Sequence, residues 1–351
     1  MHQFARLHVH FIILLSCFHG IAQENPLKFS TYIDTYYAYD FSHPLDNQRY
    51  FVTQYDRHNE FNINHAWIKA SYNKDKIRTE LALQLGTYPI NNYSAEPDQF
   101  YRMIHSAKVG YQISQKSWLD FGVMGGHFGY ESVLAIDREL LSPALATEYT
   151  PYYQTGIQYT LTVSESTEIR AVVLNGWQNM AETNNHKSIG MAIDQKLGEN
   201  MLLSYGNYYG NERTEGAEDL LRFHNNLVMS YTPGDKFTLT GIVDYTRQDS
   251  LNQLKEAFFL TAIASNQLMD QFRIAGRYEY VRDGDRLLIN AITTPFDIHI
   301  VSMVLEFTPQ SNVSIKFESK FYSGKNRNFA GSDGSGPSTL VFNAGFAVRL
   351  E

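Results

Sequence analysis

Charged residues recur at every second position in several stretches of the chain: Arg78 and Glu80, then Arg273, Arg277 and Glu279, then Lys316, Glu318 and Lys320. In an extended strand this spacing puts each set on one face. Such rows can line an aqueous passage or form cross-strand ion pairs that stiffen a wall. Catalytic chemistry has little support. The sequence holds no H-E-x-x-H, no G-x-S-x-G and no phosphate-cradling glycine loop. His65 with Ser71 is the one Ser–His pair that could be placed on a lipid face, and a parity slip there argues against it. His105, His224 and His299 stand isolated among strands and read as wall residues. The stretch Gly331 to Gly336 reads as flexible loop rather than a calcium site. No enzyme activity, cofactor or metal is expected.

The elements that must position these charges have a period of two. From Lys76 to Tyr88, Ile77, Thr79, Leu81, Leu83 and Leu85 alternate with Arg78, Glu80, Ala82, Gln84 and Gly86. Val313, Ile315, Phe317 and Phe321 alternate in the same way with Ser314, Lys316, Glu318 and Lys320. Sixteen segments carry the pattern, near 27–41, 59–72, 76–88, 103–114, 117–125, 152–163, 168–175, 186–194, 200–209, 221–232, 236–246, 256–265, 271–282, 296–308, 313–322 and 339–350. Within 59–72 the apolar parity shifts between Ile63 and Ile68, which predicts a bulge near His65. Connections alternate in length: Asn73–Asp75 and Gln115-Lys116 are short, whereas 42–58, 89–102, 126–151, 176–185, 210–220, 247–255, 283–295 and 323–338 are long.

Composition fits the pattern. The 351 residues include 24 Tyr, 22 Phe and 3 Trp, with 43% hydrophobic and 19% charged residues, which excludes disorder and coiled coil. A formal charge of -8 without any basic block argues against nucleic acid. Residues 1–22 read as a cleaved signal peptide, with Arg6, the apolar run Phe11 to Phe18 and small residues ending at Ala22; Cys17, the only cysteine, lies inside it. An acylated Cys17 is the competing reading. Past residue 22 no apolar run reaches the roughly 18 to 20 residues of a membrane-spanning helix. Mean hydropathy is -0.33, as expected where only alternate strand residues meet lipid. Strand lengths of about 9 to 11 residues suit a tilted bilayer crossing, while soluble strands average roughly 5 to 6. Residues 23–351 are therefore expected to be all-β: a transmembrane antiparallel up-and-down β-barrel of about 16 strands, with short periplasmic turns and long extracellular loops, in a bacterial outer membrane. Tyr37, Tyr39, Tyr72, Tyr88, Tyr159, Tyr231, Tyr245, Tyr280 and Phe307 are suited to its aromatic girdles.

Several strings then resemble the OmpL-like family of β-barrel porins of Bacteroidetes-type bacteria: Tyr32-Ile33-Asp34 with Tyr36 to Phe41, Asn59 to Asn62 with Asn64-His65-Ala66, Gly129 to Ser132, Pro151-Tyr152-Tyr153 with Gly156, and Leu174 to Trp177. The resemblance spans the chain after the leader, densest from 29 to 177. It implies an outer-membrane channel and no particular substrate. Asn343, Gly345, Val348 and Leu350 resemble the signal read by the barrel-assembly machinery, although Glu351 follows where such proteins usually end on an aromatic.

With the apolar parity turned to lipid, the other parity lines the lumen: Asp34, Arg78, Glu80, Lys108, Asp120, Arg170, Asp194, Arg222, Asp244, Arg273, Arg277, Glu279, Lys316, Glu318, Lys320 and Arg349. These charges are expected to face water. The longest connection, 126–151, carries apolar residues beside His127, Glu131, Asp137, Arg138 and Glu139; it is expected either to enter the lumen as a constriction or to cap the barrel from outside. Passive passage of small hydrophilic solutes is the leading function. The alternative is a surface adhesin or structural barrel with a plugged lumen.

Overall fold

The computed structural model describes residues 25–49, 51–250, 253–289, 295–332 and 334–351. The expected leader, with Arg6 and Cys17, lies outside them. Among the described residues sixteen strands form one closed antiparallel barrel. They are β1 (Leu27–Asp40), β2 (Glu60–Lys74), β3 (Ile77–Leu85), β4 (Ile104–Ser114), β5 (Ser117–Gly125), β6 (Tyr153–Ser164), β7 (Thr167–Leu174), β8 (Ser188–Leu197), β9 (Met201–Asn211), β10 (Leu221–Tyr231), β11 (Phe237–Ser250), β12 (Gln253–Met269), β13 (Phe272–Asp283), β14 (Phe296–Gln310), β15 (Val313–Gly324) and β16 (Ser338–Leu350). Each strand pairs with its sequence neighbours, and β16 closes on β1 through Thr31↔Leu350 to Asp40↔Val341.

Alternation sets the two faces. Leu81, Phe121, Phe317 and Phe346 are exposed on the outside, while Ala82, Asp120, Glu318 and Asn343 are buried within. On β2, Asp34 faces His65 and Thr35 faces Ile63, so Asn64 is the extra residue of a bulge. Asn64 and His65 consequently both turn inward, which is why Phe61 and Ile68 share the outer face despite their odd separation. The bulge also disposes of the His65–Ser71 pairing: both side chains are on the inner face, six residues or roughly 20 Å apart along the strand.

Three local expectations are corrected. Residues 247–255 are not a long loop, since β11 and β12 remain paired as far as Ser250↔Gln253. Arg247, Gln248 and Asp249 lack an apolar parity, yet backbone pairing continues where neither face must meet lipid. The strand expected over 76–88 ends at Leu85, and two short helices, Thr87–Asn92 and Gln99–Arg102, follow it before β4. Tyr88, assigned above to a girdle, sits in the first of these helices and is buried against Tyr93 and His65.

The inner face is not uniformly polar. Phe259, Phe296, Ile298, Ile300, Tyr322 and Val341 point inward near the long-loop end, where they pack with Phe51 and Val52 of the first long loop and Leu145 and Ala146 of the third. Their inward parity is apolar because loops, not water, cover them.

Candidate functional site

The loop 126–151 turns into the barrel directly after β5. Both ring nitrogens of His127 have protein partners there: its Nδ1 lies 2.7 Å from Gln154 Oε1 and its Nε2 2.8 Å from the Asn207 carbonyl. Burial pushes the imidazole pKa below its ordinary value, and the hydrogen bonds to Gln154 and the Asn207 carbonyl oppose that shift. Phe128 stacks on His224 with ring centroids 4.8 Å apart. The wall must be bare at this crossing. A Cβ on Gly206 would stand 2.3 Å from Phe128 Cβ, so only glycine admits the ring.

Farther on, the loop runs along β13, β15 and β16. Backbone groups brought inside a barrel have no ladder partners, and burying them unpaired is costly. Charged wall residues supply the partners. Lys316 Nζ donates to the carbonyls of Ala135 (2.6 Å) and Arg138 (2.5 Å), and Arg273 donates to that of Arg138 (2.8 Å). Arg277 donates to the Ser142 and Pro143 carbonyls, each at 2.9 Å, and to Glu131 Oε1 at 2.9 Å. Lys320 donates to the Pro143 carbonyl at 3.1 Å. In the other direction, Glu318 accepts from the Ser142 N–H (3.0 Å) and Glu279 from the Leu145 N–H (2.6 Å). Within the loop, Glu131 accepts from the Ala144 N–H and the Thr147 hydroxyl. The Arg138 guanidinium gathers the Ser132, Val133 and Leu141 carbonyls and reaches Gln54 and Tyr55 of the first long loop. Glu139 accepts from the Tyr130 hydroxyl, and Asp137 pairs with Arg349 at 2.8 Å.

This arrangement corrects the expectation that the charged parity faces water throughout. Arg277, Glu279, Lys316, Glu318 and Lys320 are at most 2% exposed. They lie beneath the loop, and their charge serves its backbone. Asp34 is equally sealed, accepting from Tyr55 and Asn64, and Asp244 accepts from Asn226. Asp120 binds the Arg78 guanidinium through both carboxylate oxygens. Arg78, Glu80 and Lys108 are half-buried on β3 and β4, and Arg170 and Asp194 are half-buried on β7 and β8, where they share a recess with Gly129 and Tyr130 of the loop. Arg170 is paired with Asp194 at 2.6 Å, and Arg222 stacks over Trp177.

The proposed assembly residues divide. Val348 and Leu350 face outward, whereas Asn343 is fully buried and donates to Glu318. Gly345 makes room for the loop: a Cβ there would stand 2.4 Å from Leu141 Cδ1. Of the histidines, His105 reaches the Gln84 shared with His65, His224 bonds Thr246, and His299 faces outward beside Tyr278.

Two functional groups were missed. Glu306 pairs with Arg273 and Lys316; its inward parity between Leu305 and Phe307 would have found it. Glu148 is buried and accepts from the backbone and side chain of Thr53, joining the third long loop to the first. Burial raises its pKa, with the Thr53 contacts opposing. Nothing in its loop sequence signals that contact.

Between the loop and the strands facing it the interior is polar. A recess of about 520 Å³ toward the short-turn end is lined by Tyr130, Thr162, Arg170, Asp194, Lys196 and Ser204. Another of about 290 Å³ toward the long loops is lined by Thr53, Asn92, Glu148, Gln178 and Arg222.

A family model described as "Putative beta-barrel porin-2, OmpL-like" matches residues 26–350. Among solved structures, the outer membrane channel DcaP of Acinetobacter baumannii has a TM-score of 0.62 at 10% identity, covering 94% of this chain and 99% of that one. OprB of Pseudomonas putida has a TM-score of 0.63 at 8% identity, covering 93% and 95%. OmpF of Salmonella typhi, solved with daunomycin, has 0.62 at 11%, covering 92% and 97%. At these identities the likeness is one of fold. No curated protein sequence matches the chain.

Proposed function

The chain belongs to the OmpL-like β-barrel porin-2 family of the bacterial outer membrane, and we propose that its barrel lets small hydrophilic solutes diffuse passively past a constriction made by residues 126–151. One observation carries this reading. The loop is fastened to one side of the interior, along β13, β15 and β16, while polar recesses remain along β6 to β10. A loop pinned by charge-assisted hydrogen bonds narrows a passage without drifting across it. The uncovered wall offers hydroxyls and paired charges, so a hydrated solute trades water for weak polar partners and leaves again.

Deleting residues 131–142 and measuring single-channel conductance tests the constriction: conductance rises if the loop narrows the path, and unchanged conductance removes it from that role. A second reading, a plugged barrel whose loops bind a partner, draws on the apolar cluster that joins Phe51, Leu145, Phe296 and Ile298 near the long-loop end. Liposome swelling in sugars and amino acids separates the two, since a plugged barrel leaves the vesicles unswollen.

A further inference from the structure

A recess of about 830 Å³ at the short-turn end lies where β1 to β4 begin and end, apart from the loop and its wall. Four cationic side chains line it, Lys28, Lys74, Arg78 and Lys108, against one carboxylate, Glu80. Asp120 holds Arg78 through both oxygens, which cancels that charge. Glu80 accepts from the Ser106 hydroxyl at 2.6 Å, stands opposite Lys108 across the β3–β4 pair and lies 4.0 Å from Lys69. Among the described residues, no carboxylate lies within ion-pair distance of the Lys28, Lys74 or Lys108 ammonium groups. The recess therefore has a net positive charge of two, with Ser71 and Asn73 as neutral hydrogen-bonding groups beside it.

Other basic groups of the interior have acidic partners, Arg170 with Asp194, Arg273 with Glu306 and Arg349 with Asp137, and Lys196 lines a recess that also holds Glu165, Glu168 and Asp194. An excess of positive charge is thus a feature of the recess between β1 and β4. Lys28 and Lys74 are exposed at its rim, and a concave surface with an excess of one sign raises the local concentration of counter-ions. We infer that this recess is an anion-recruiting site at the periplasmic mouth, taking small solutes with two or more negative charges on carboxylate or phosphate oxygens. Three mobile ammonium groups around one space suit a multiply charged oxyanion, since each donates up to three hydrogen bonds and can turn to follow it.

The inference rests on the porin reading for its place in transport, but not for binding itself. The test pairs two measurements on the full barrel. Zero-current potentials in planar bilayers under a KCl gradient should show chloride preferred over potassium near 0.1 M salt. That preference should fade near 1 M, where the screening length falls from about 10 Å to about 3 Å. Titration calorimetry with citrate and with inorganic phosphate should show binding that weakens at least tenfold in the Lys28→Glu/Lys108→Glu double variant, whose zero-current potential should change sign. Tighter citrate assigns the site to carboxylate solutes, and tighter phosphate to phosphorylated ones. A barrel that binds citrate but carries no current keeps the site and removes the channel. Conduction without anion preference, or citrate and phosphate binding equal in wild type and double variant, overturns the site. If the charge reversals do not fold, Lys28→Gln/Lys108→Gln gives the same comparison with smaller shifts.

Discussion

Replacing Arg277 with methionine should release the loop 126–151 from its wall. The guanidinium is 2% exposed and makes four bonds: to Glu279 at 2.8 Å and to Glu131, the Ser142 carbonyl and the Pro143 carbonyl at 2.9 Å each. Methionine keeps much of the volume and none of the donors. Glu131 then loses its cation, while Glu279 keeps Lys320 at 3.7 Å and the Leu145 N–H at 2.6 Å. Breaking a buried ion pair by removing one partner costs about 3 to 5 kcal/mol, because the remaining charge stays desolvated. At about 1.4 kcal/mol per factor of ten, loop docking weakens by roughly two to three and a half orders of magnitude. Single-channel recording should show larger or fluctuating current steps, and thermal unfolding in detergent should begin lower. The double variant Arg277→Met/Glu131→Gln removes both charges of one pair and should recover part of the loss. A quiet single variant, with the wild-type conductance and melting profile, would refute the claim that this arginine latches the loop.

Gly345→Val should push Leu141 out of its seat and cost about 1 to 3 kcal/mol by overpacking, read as an earlier thermal transition and raised conductance. Leu81→Arg, on the outer face, should cost about 2 to 4 kcal/mol near the bilayer midplane and lower the yield of barrel folded into vesicles. Glu148→Gln should flatten a pH dependence: because the folded pKa is raised above the unfolded value, the carboxyl's stabilising contribution is present below the ordinary carboxylate range and is lost as pH climbs through the raised value. Melting temperatures of wild type and variant should therefore diverge as pH rises through that window.

Period-two alternation made the barrel legible, because lipid enforces it on one face of every strand. Leu81, Leu83, Phe317 and Phe346 turn outward for that reason. The bulge was legible too, since a single extra residue at Asn64 inverts the parity that follows. The inner face was harder to read. Strand parity places Lys316 and Glu318 inside, but it does not distinguish a charge facing water from one holding a loop carbonyl or amide. That difference depends on contacts across more than 170 positions of chain, as between Lys316 and Ala135 or Glu318 and Ser142. Gly206 and Gly345 mark the loop track only once the loop is in place, and Gly345 reads equally well as part of a terminal assembly pattern. The inward Ile298 and Ile300 follow the same logic, for their apolar partners come from loops with no period of their own.

Two single-cysteine variants test the central claim most directly, the cysteine of the natural chain being confined to position 17. Ser204 lines the uncovered polar recess, whereas Ser314 is buried on β15 beside the loop-bearing wall. A charged, water-soluble thiol reagent applied during planar-bilayer recording should reduce the current through the Ser204→Cys barrel and leave Ser314→Cys unchanged. A block at position 314 with none at 204 would contradict the account, as would the absence of any current from a folded barrel.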